Sequence, residues 1–196
     1  MIWLLAVDPG LDATGVAAFD LTDWRPGISF QEAIARLGPT IILRTKPTEP
    51  LVVRLEHLSR EFHDFGDDCP GGLARILIEQ PATAGAYAAR RRRQGTKGLI
   101  NGAALAKLHM AVGTLVGAAT THSELQRDGA LLEERVLLVP APRIEKRLRQ
   151  KYVLVNLGMR NHPLAAQTRR PSPDLLDAIY LGATWLSSVQ RLSPAA

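Results

Sequence analysis

LLAVDPGLDATGVAAFD, residues 4–20, decides how the rest of the chain is read. Leu4–Val7 and Val16–Phe19 are short apolar runs separated by a segment rich in Asp, Gly and Pro. Such residues end strands and close hairpins, so the stretch predicts strand, tight turn, strand. Asp8 is the anomaly. It directly follows a run that should be buried, where an unpaired carboxylate costs several kcal/mol. A hydrogen bond to the turn around Gly10, an arginine or a metal ion would offset that cost.

Outward from this hairpin the pattern continues. Ser29–Arg36 has the makings of a short helix, and TIILRTKP of a third strand. In EPLVVRLEHLSREFHDFGDD, Leu51, Leu55, Leu58, Phe62 and Phe65 recur at helical spacing, with Arg54, Glu56, Arg60 and Glu61 between them. GGLARILIEQP reads as a strand that leaves a glycine turn and stops at Pro81. A long helix rich in small residues follows in TKGLINGAALAKLHMAVGTLVGAATTH, then a fifth strand over Arg135–Val139. RIEKRLRQKYVLVNLG is a basic helix or a helix and turn. SPDLLDAIYLGATWLSSVQRL is a helix with Ser172 at the N-cap and Pro173 at its first position. Hairpins followed by strand–helix alternation predict an α/β fold, a five-stranded mixed sheet with helices on both faces.

The chain's 196 residues suit a single domain, 1–196, and 46% of them are hydrophobic against 5% aromatic, so the core is aliphatic. One cysteine, Cys69, excludes an internal disulfide and suits a reducing compartment. No apolar run approaches the ~20 residues of a membrane span, so no membrane partner is expected. Met1–Val7 lacks a basic leader and Asp8 interrupts it, which makes a poor signal peptide; a cytoplasmic location is expected. A formal charge of +5 favours a polyanionic partner such as nucleic acid.

Four carboxylates occupy telling positions. Asp8 ends the first strand and Glu79 the fourth, while Asp174 and Asp177 lie three apart at the start of the last helix, on one face. If the first and fourth strands are parallel and the last helix reaches their ends, the four converge. Such a cluster repels itself unless cations fill it. Hard divalent ions take oxygen ligands, and a pair of them can drive phosphodiester cleavage.

These segments carry a family resemblance. AVDPGLDATG, LIEQP and SPDLLDAIYLG resemble, in order and spacing, the three signature segments of the RuvC-type Holliday junction resolvases, members of the RNase H-like nuclease superfamily. The likeness covers most of the chain and is weakest over residues 21–37 and 120–134. It implies an RNase H-like fold, a homodimer, and an endonuclease with two Mg²⁺ or Mn²⁺ ions per site that nicks opposed strands of a four-way DNA junction. By position, Asp8, Glu79, Asp174 and Asp177 match the family's acidic metal-binding residues. Lys146 matches a family lysine early in a helix. A second family lysine has no clean match; Lys151 or Arg160 stand as substitutes.

Basic residues flank the acidic ones. Arg90, Arg91, Arg92, Arg93 and Lys97 follow Glu79 closely, and Tyr87 among them is a candidate to stack on an exposed base. Arg143, Lys146 and Lys151 form a second nucleic-acid-binding candidate set, within a stretch that also holds Arg147, Arg149 and Arg160. His57, His63 and His109 show no zinc spacing and read as surface or packed side chains, while His122 and His162 lie in loops. Asp12, Asp20 and Asp23 read as turn residues. Against the junction-resolving reading stand a nuclease of the same fold acting on flaps, single strands or structured RNA, and a non-catalytic junction-binding protein. An actin-like phosphotransferase would need a longer chain.

Overall fold

The computed structural model describes residues 1–81, 102–122, 132–141, 144–165 and 171–188. Five strands form one mixed sheet: β1 (Trp3–Asp8), β2 (Ala13–Asp20), β3 (Leu37–Arg44), β4 (Leu73–Gln80) and β5 (Val136–Pro140). Their order is β3-β2-β1-β4-β5. β1 runs antiparallel to β2 and parallel to β4; β2–β3 is antiparallel and β4–β5 parallel. The fold is the RNase H-like α/β arrangement expected.

Two helical layers cover the sheet. On one face lie α2 (Leu51–Asp67) and α3 (Gly102–Thr121), packed over Trp3, Leu5, Val7, Ile76 and Ile78. On the other lie α1 (Phe30–Ala35), α5 (Lys146–Met159) and α6 (Pro173–Ser188), packed over Leu4, Ala6 and Leu77. A short helix, α4 (Leu132–Arg135), leads into β5. The alternation along β1 and β4 is the pleat at work, with successive side chains facing opposite layers.

Local chemistry explains the boundaries. α1 begins with a capping box, Ser29 accepting from the Glu32 amide while the Glu32 carboxylate accepts from the Ser29 amide. β3 starts at Leu37, before the TIILR run, because Leu37 pairs with Phe19 across a register shift. β5 is shifted one residue from its expected span: Arg135 closes α4, and Pro140 ends the strand opposite Gln80, on a sheet edge where proline is tolerated. On α2, Leu58, Phe62 and Phe65 are buried as the spacing predicts. Arg54, which the same spacing leaves between the apolar positions, is buried too.

The expectation that no segment matches a membrane span needs correction. Gly102–Thr121 is long and apolar enough to cross one by length and composition. Here its second half puts Ala111, Val112, Leu115, Ala118 and Ala119 into the core beside α2, while much of Gly102–Met110 is exposed.

Candidate active site

Strand register sets the first two carboxylates. Val7 is level with Ile78 in the parallel β1–β4 pair, so Asp8 and Glu79, each one residue on, leave neighbouring strands together. By the same alternation both face the α5/α6 layer. α6 brings the other two. Its first turn lies directly on β2 at Gly15, the residue paired with Asp8. A Cβ at Gly15 would run into the Asp174 backbone and stand 2.7 Å from the Leu175 nitrogen. Only the missing side chain lets the start of α6 come so close.

α5 supplies the countercharge. Lys146, its first residue, points Nζ at Asp177 Oδ2 (2.7 Å), Asp174 Oδ1 (3.7 Å) and Asp8 Oδ2 (4.0 Å). A lysine in the first turn opposes the helix dipole, a cost the three carboxylates outweigh. One turn on, Arg149 lies between Glu79 Oε2 (3.6 Å) and Asp177 Oδ1 (3.7 Å). Gln150 donates from Nε2 to Asp177 Oδ2 at 3.3 Å. Ser172 begins α6 as expected: its carbonyl accepts from the Leu176 amide, and its hydroxyl donates to Asp174 Oδ2 at 3.3 Å.

The structure therefore brings Asp8, Glu79, Asp174, Asp177 and Lys146 into one cluster. Asp177 is 1% exposed, and the Asp8 and Glu79 side chains 15% each. Burial pushes the Asp8 carboxyl well above its ordinary range; Glu79, Asp177 and Asp174 push the same way, against Lys146. Burial also raises Glu79, opposed chiefly by Arg149. For Lys146, burial pulls the pKa down, but the bond to Asp177 and the charges of Asp8, Asp177 and Asp174 outweigh it, holding the ammonium above its usual value.

The cluster fits divalent cations. Its donors are all carboxylate oxygens, the set hard ions prefer. Four carboxylates face two cationic side chains, leaving two negative charges unmatched among the described residues. Glu79 Oε2 and Asp177 Oδ1 are buried without a hydrogen bond. Asp8 is not needed to cap its own turn, because the Gly10 amide donates instead to Thr14 Oγ1 at 3.1 Å.

Other expectations fall elsewhere. Asp12 is a turn residue as read: it faces away toward α2, where it pairs with buried Arg54, whose Nε donates to Thr45 Oγ1 at 2.9 Å. Lys151 is exposed on the outer flank of α5, beside Ile144, Leu148 and Tyr152. Arg160 ends α5, about 21 Å along the helix from Lys146 at 1.5 Å per residue. Neither reaches the carboxylates. Tyr87, Arg90–Arg93, Lys97 and Arg143 lie outside the described residues.

Sequence reasoning passed over Arg149 and Gln150 as cluster members. The signal was present: residues 149, 150, 153, 156 and 157 form the buried face of α5 at helical spacing, and three of them are polar or charged. His63 is a partly exposed helix residue and His122 lies packed in a loop, as read, but the two come together across Asp67, a grouping no local spacing announces.

No protein-family model matches the chain, and no curated protein matches it. Solved structures do. A structure of T. thermophilus RuvC in complex with Holliday junction substrate superposes with a TM-score of 0.61 at 12% identity, over 98% of this chain and 97% of that one. A second Thermus thermophilus RuvC structure gives a TM-score of 0.54 at 14% identity, over 96% of each chain. At such identities the likeness speaks for the architecture: from end to end, this chain has a RuvC-like fold.

Proposed function

We propose that the chain is a metal-dependent endonuclease that resolves four-way DNA junctions by paired, symmetric nicks. The observation that carries this reading is the convergence of Asp8, Glu79, Asp174 and Asp177 at one end of the sheet with two of their charges unmatched among the described residues. Likeness in fold to a RuvC structure holding a Holliday junction supports the choice of substrate.

In this reading Asp8, Glu79, Asp174 and Asp177 hold two Mg²⁺ or Mn²⁺ ions. When bound, such ions supply an activated water and charge for the leaving oxygen. Lys146 sits at the mouth of the cluster with its side chain 47% exposed. Its raised pKa keeps it cationic at neutral pH, so it can turn from Asp177 to a phosphate oxygen. Arg149 is 7% exposed and stays behind the carboxylates, holding Glu79 and Asp177 in place. Tyr87, Arg90–Arg93, Lys97, Arg143 and Lys151 are proposed to grip the junction arms.

A homodimer suits the substrate, since a four-way junction has two-fold symmetry and paired nicks need paired sites. The exposed, small-residue half of α3, Gly102–Met110, offers a surface for close helix pairing.

The test is cleavage of an immobile synthetic junction with Mg²⁺, Mn²⁺ or chelator, beside duplex, flap and structured RNA. Paired nicks confined to the junction, lost with chelator and in Asp8→Asn, are expected. Cutting of flap or RNA instead would move the substrate assignment. Tight junction binding without cutting under any metal would overturn the enzymatic reading.

A further inference from the structure

A second cluster lies in the other helical layer, at the opposite end of the strands. His63 and Asp67 are one turn apart at the end of α2, on one face. His63 Nδ1 stands 3.1 Å from Asp67 Oδ2, and His122 Nε2, just past the end of α3, 3.0 Å from Asp67 Oδ1. The two imidazoles stack with centroids 4.8 Å apart. All three ligand atoms lie within 4.8 Å of one another. Room has been made for the contact: a Cβ at Gly66 would stand 2.7 Å from His122 Nε2 and 3.3 Å from Leu73 Cδ1, at the start of β4.

We propose that His63, Asp67 and His122 form a transition-metal site, of Zn²⁺ type, that clips the end of α2 to the end of α3. Two imidazole nitrogens and a carboxylate oxygen are the donors borderline dications favour over Mg²⁺. Donors on a tetrahedral ion at 2.0–2.1 Å sit about 3.3 Å apart, and each nitrogen stands near that distance from its own Asp67 oxygen, His63 Nδ1 from Oδ2 and His122 Nε2 from Oδ1, so the exposed carboxylate has to turn one oxygen to the ion. The nitrogen pair needs to draw together. His63 can do so, because its side chain is 38% exposed, whereas His122 is fixed at 2%. Asp67 is 53% exposed, which leaves an entry path and a fourth position for water. On binding, His63 Nδ1 and His122 Nε2 coordinate as neutral imidazoles, each keeping its one proton on the other ring nitrogen. Any further proton goes to solvent. The acidic cluster on the opposite face shares no residue with this site.

The test uses the full-length protein, stripped with chelator, returned to saturating Mg²⁺ so that the acidic cluster is occupied, and titrated with Zn²⁺, then with Co²⁺ as a visible probe. Asp8→Asn removes a ligand of the acidic cluster, while His63→Gln and Asp67→Asn each remove one here, at exposed positions that should fold. One Zn²⁺ per chain is expected in wild type and in Asp8→Asn, with affinity falling roughly 100-fold or more in His63→Gln and Asp67→Asn. Saturating Zn²⁺ should raise Tm by about 5–10 °C in wild type and not in His63→Gln. Co²⁺ should give visible absorption of four-coordinate intensity that follows the same pattern. Unchanged affinity in both His63→Gln and Asp67→Asn would overturn the site. So would binding that Asp8→Asn abolishes, or no binding in wild type. Mg²⁺-dependent cleavage by His63→Gln should match wild type, so loss of this site and loss of the nuclease reading are told apart.

Discussion

Asp8 and Asp12 flank the same turn, and their fates are opposite. Asp12 meets one arginine, Arg54, whose Nε donates to Thr45, and one charge stands against one. Asp8 enters a group of four carboxylates that, among the described residues, have Lys146 and Arg149 against them. The first arrangement is complete as it stands and works as a structural knot. The second is left incomplete among the described residues, which is the condition the proposed metal ions would meet.

Breaking the open cluster should have the larger effects. Asp8→Asn should lower metal-dependent junction cleavage by at least ~10³-fold, about 4 kcal/mol of barrier, in single-turnover assays. The same variant should raise the Tm of metal-free protein, because one buried repulsive charge is gone. Arg149→Met comes next. It takes from buried Glu79 its Arg149 partner and leaves Asp177 with Lys146 and Gln150, so metal-free stability by urea unfolding should fall by about 3 kcal/mol, with part of the loss restored by Mg²⁺. Arg54→Met leaves only Asp12, whose side chain is 75% exposed, so the cost should be about 1–2 kcal/mol and indifferent to Mg²⁺. Asp12→Asn should leave cleavage unchanged. If Arg54→Met and Arg149→Met respond alike to Mg²⁺, the contrast between the two regions collapses.

The smallest effect is on pH. Asp8 and Glu79 have raised pKa values in the folded protein. Between about pH 4 and those values the folded state binds more protons than the unfolded chain, so metal-free stability should fall as pH rises through the window. Saturating Mg²⁺ should flatten that fall, and Asp8→Asn should shrink it. Stability that climbs across the same range would mean the carboxylates are already neutralised by protein groups.

The sheet and the acidic residues were legible because each rested on a local pattern: apolar runs ending in a carboxylate, and a helix opening with Ser172 and Pro173. Arg149 was harder to see. Its clue lay in being a cation on the buried side of α5, which becomes clear only once Val153 and Leu157 are known to face inward. Arg54 hid for the same reason on α2. The meeting of His63 with His122 had no local sign at all, since it depends on how α2 and α3 lie together across 59 residues of chain. Short-range periodicity reports which way a side chain points; it does not report what it will meet.

The pleat carries one more consequence, for how the gene can change. Asp8 and Glu79 share a side because each stands an even number of residues from Leu4 and Leu77 on the pleat, so the site obeys a parity rule. Deleting one residue between Trp3 and Val7 would present Asp8 to the α2 layer and turn Leu5 and Val7 toward α6, exchanging the two faces at a stroke. Removing two would restore the side while lowering the carboxylate by about 6.6 Å, one full repeat of the strand. A change of length in a connecting segment leaves this parity untouched, whereas a one-residue change inside β1 or β4 ahead of its carboxylate breaks it.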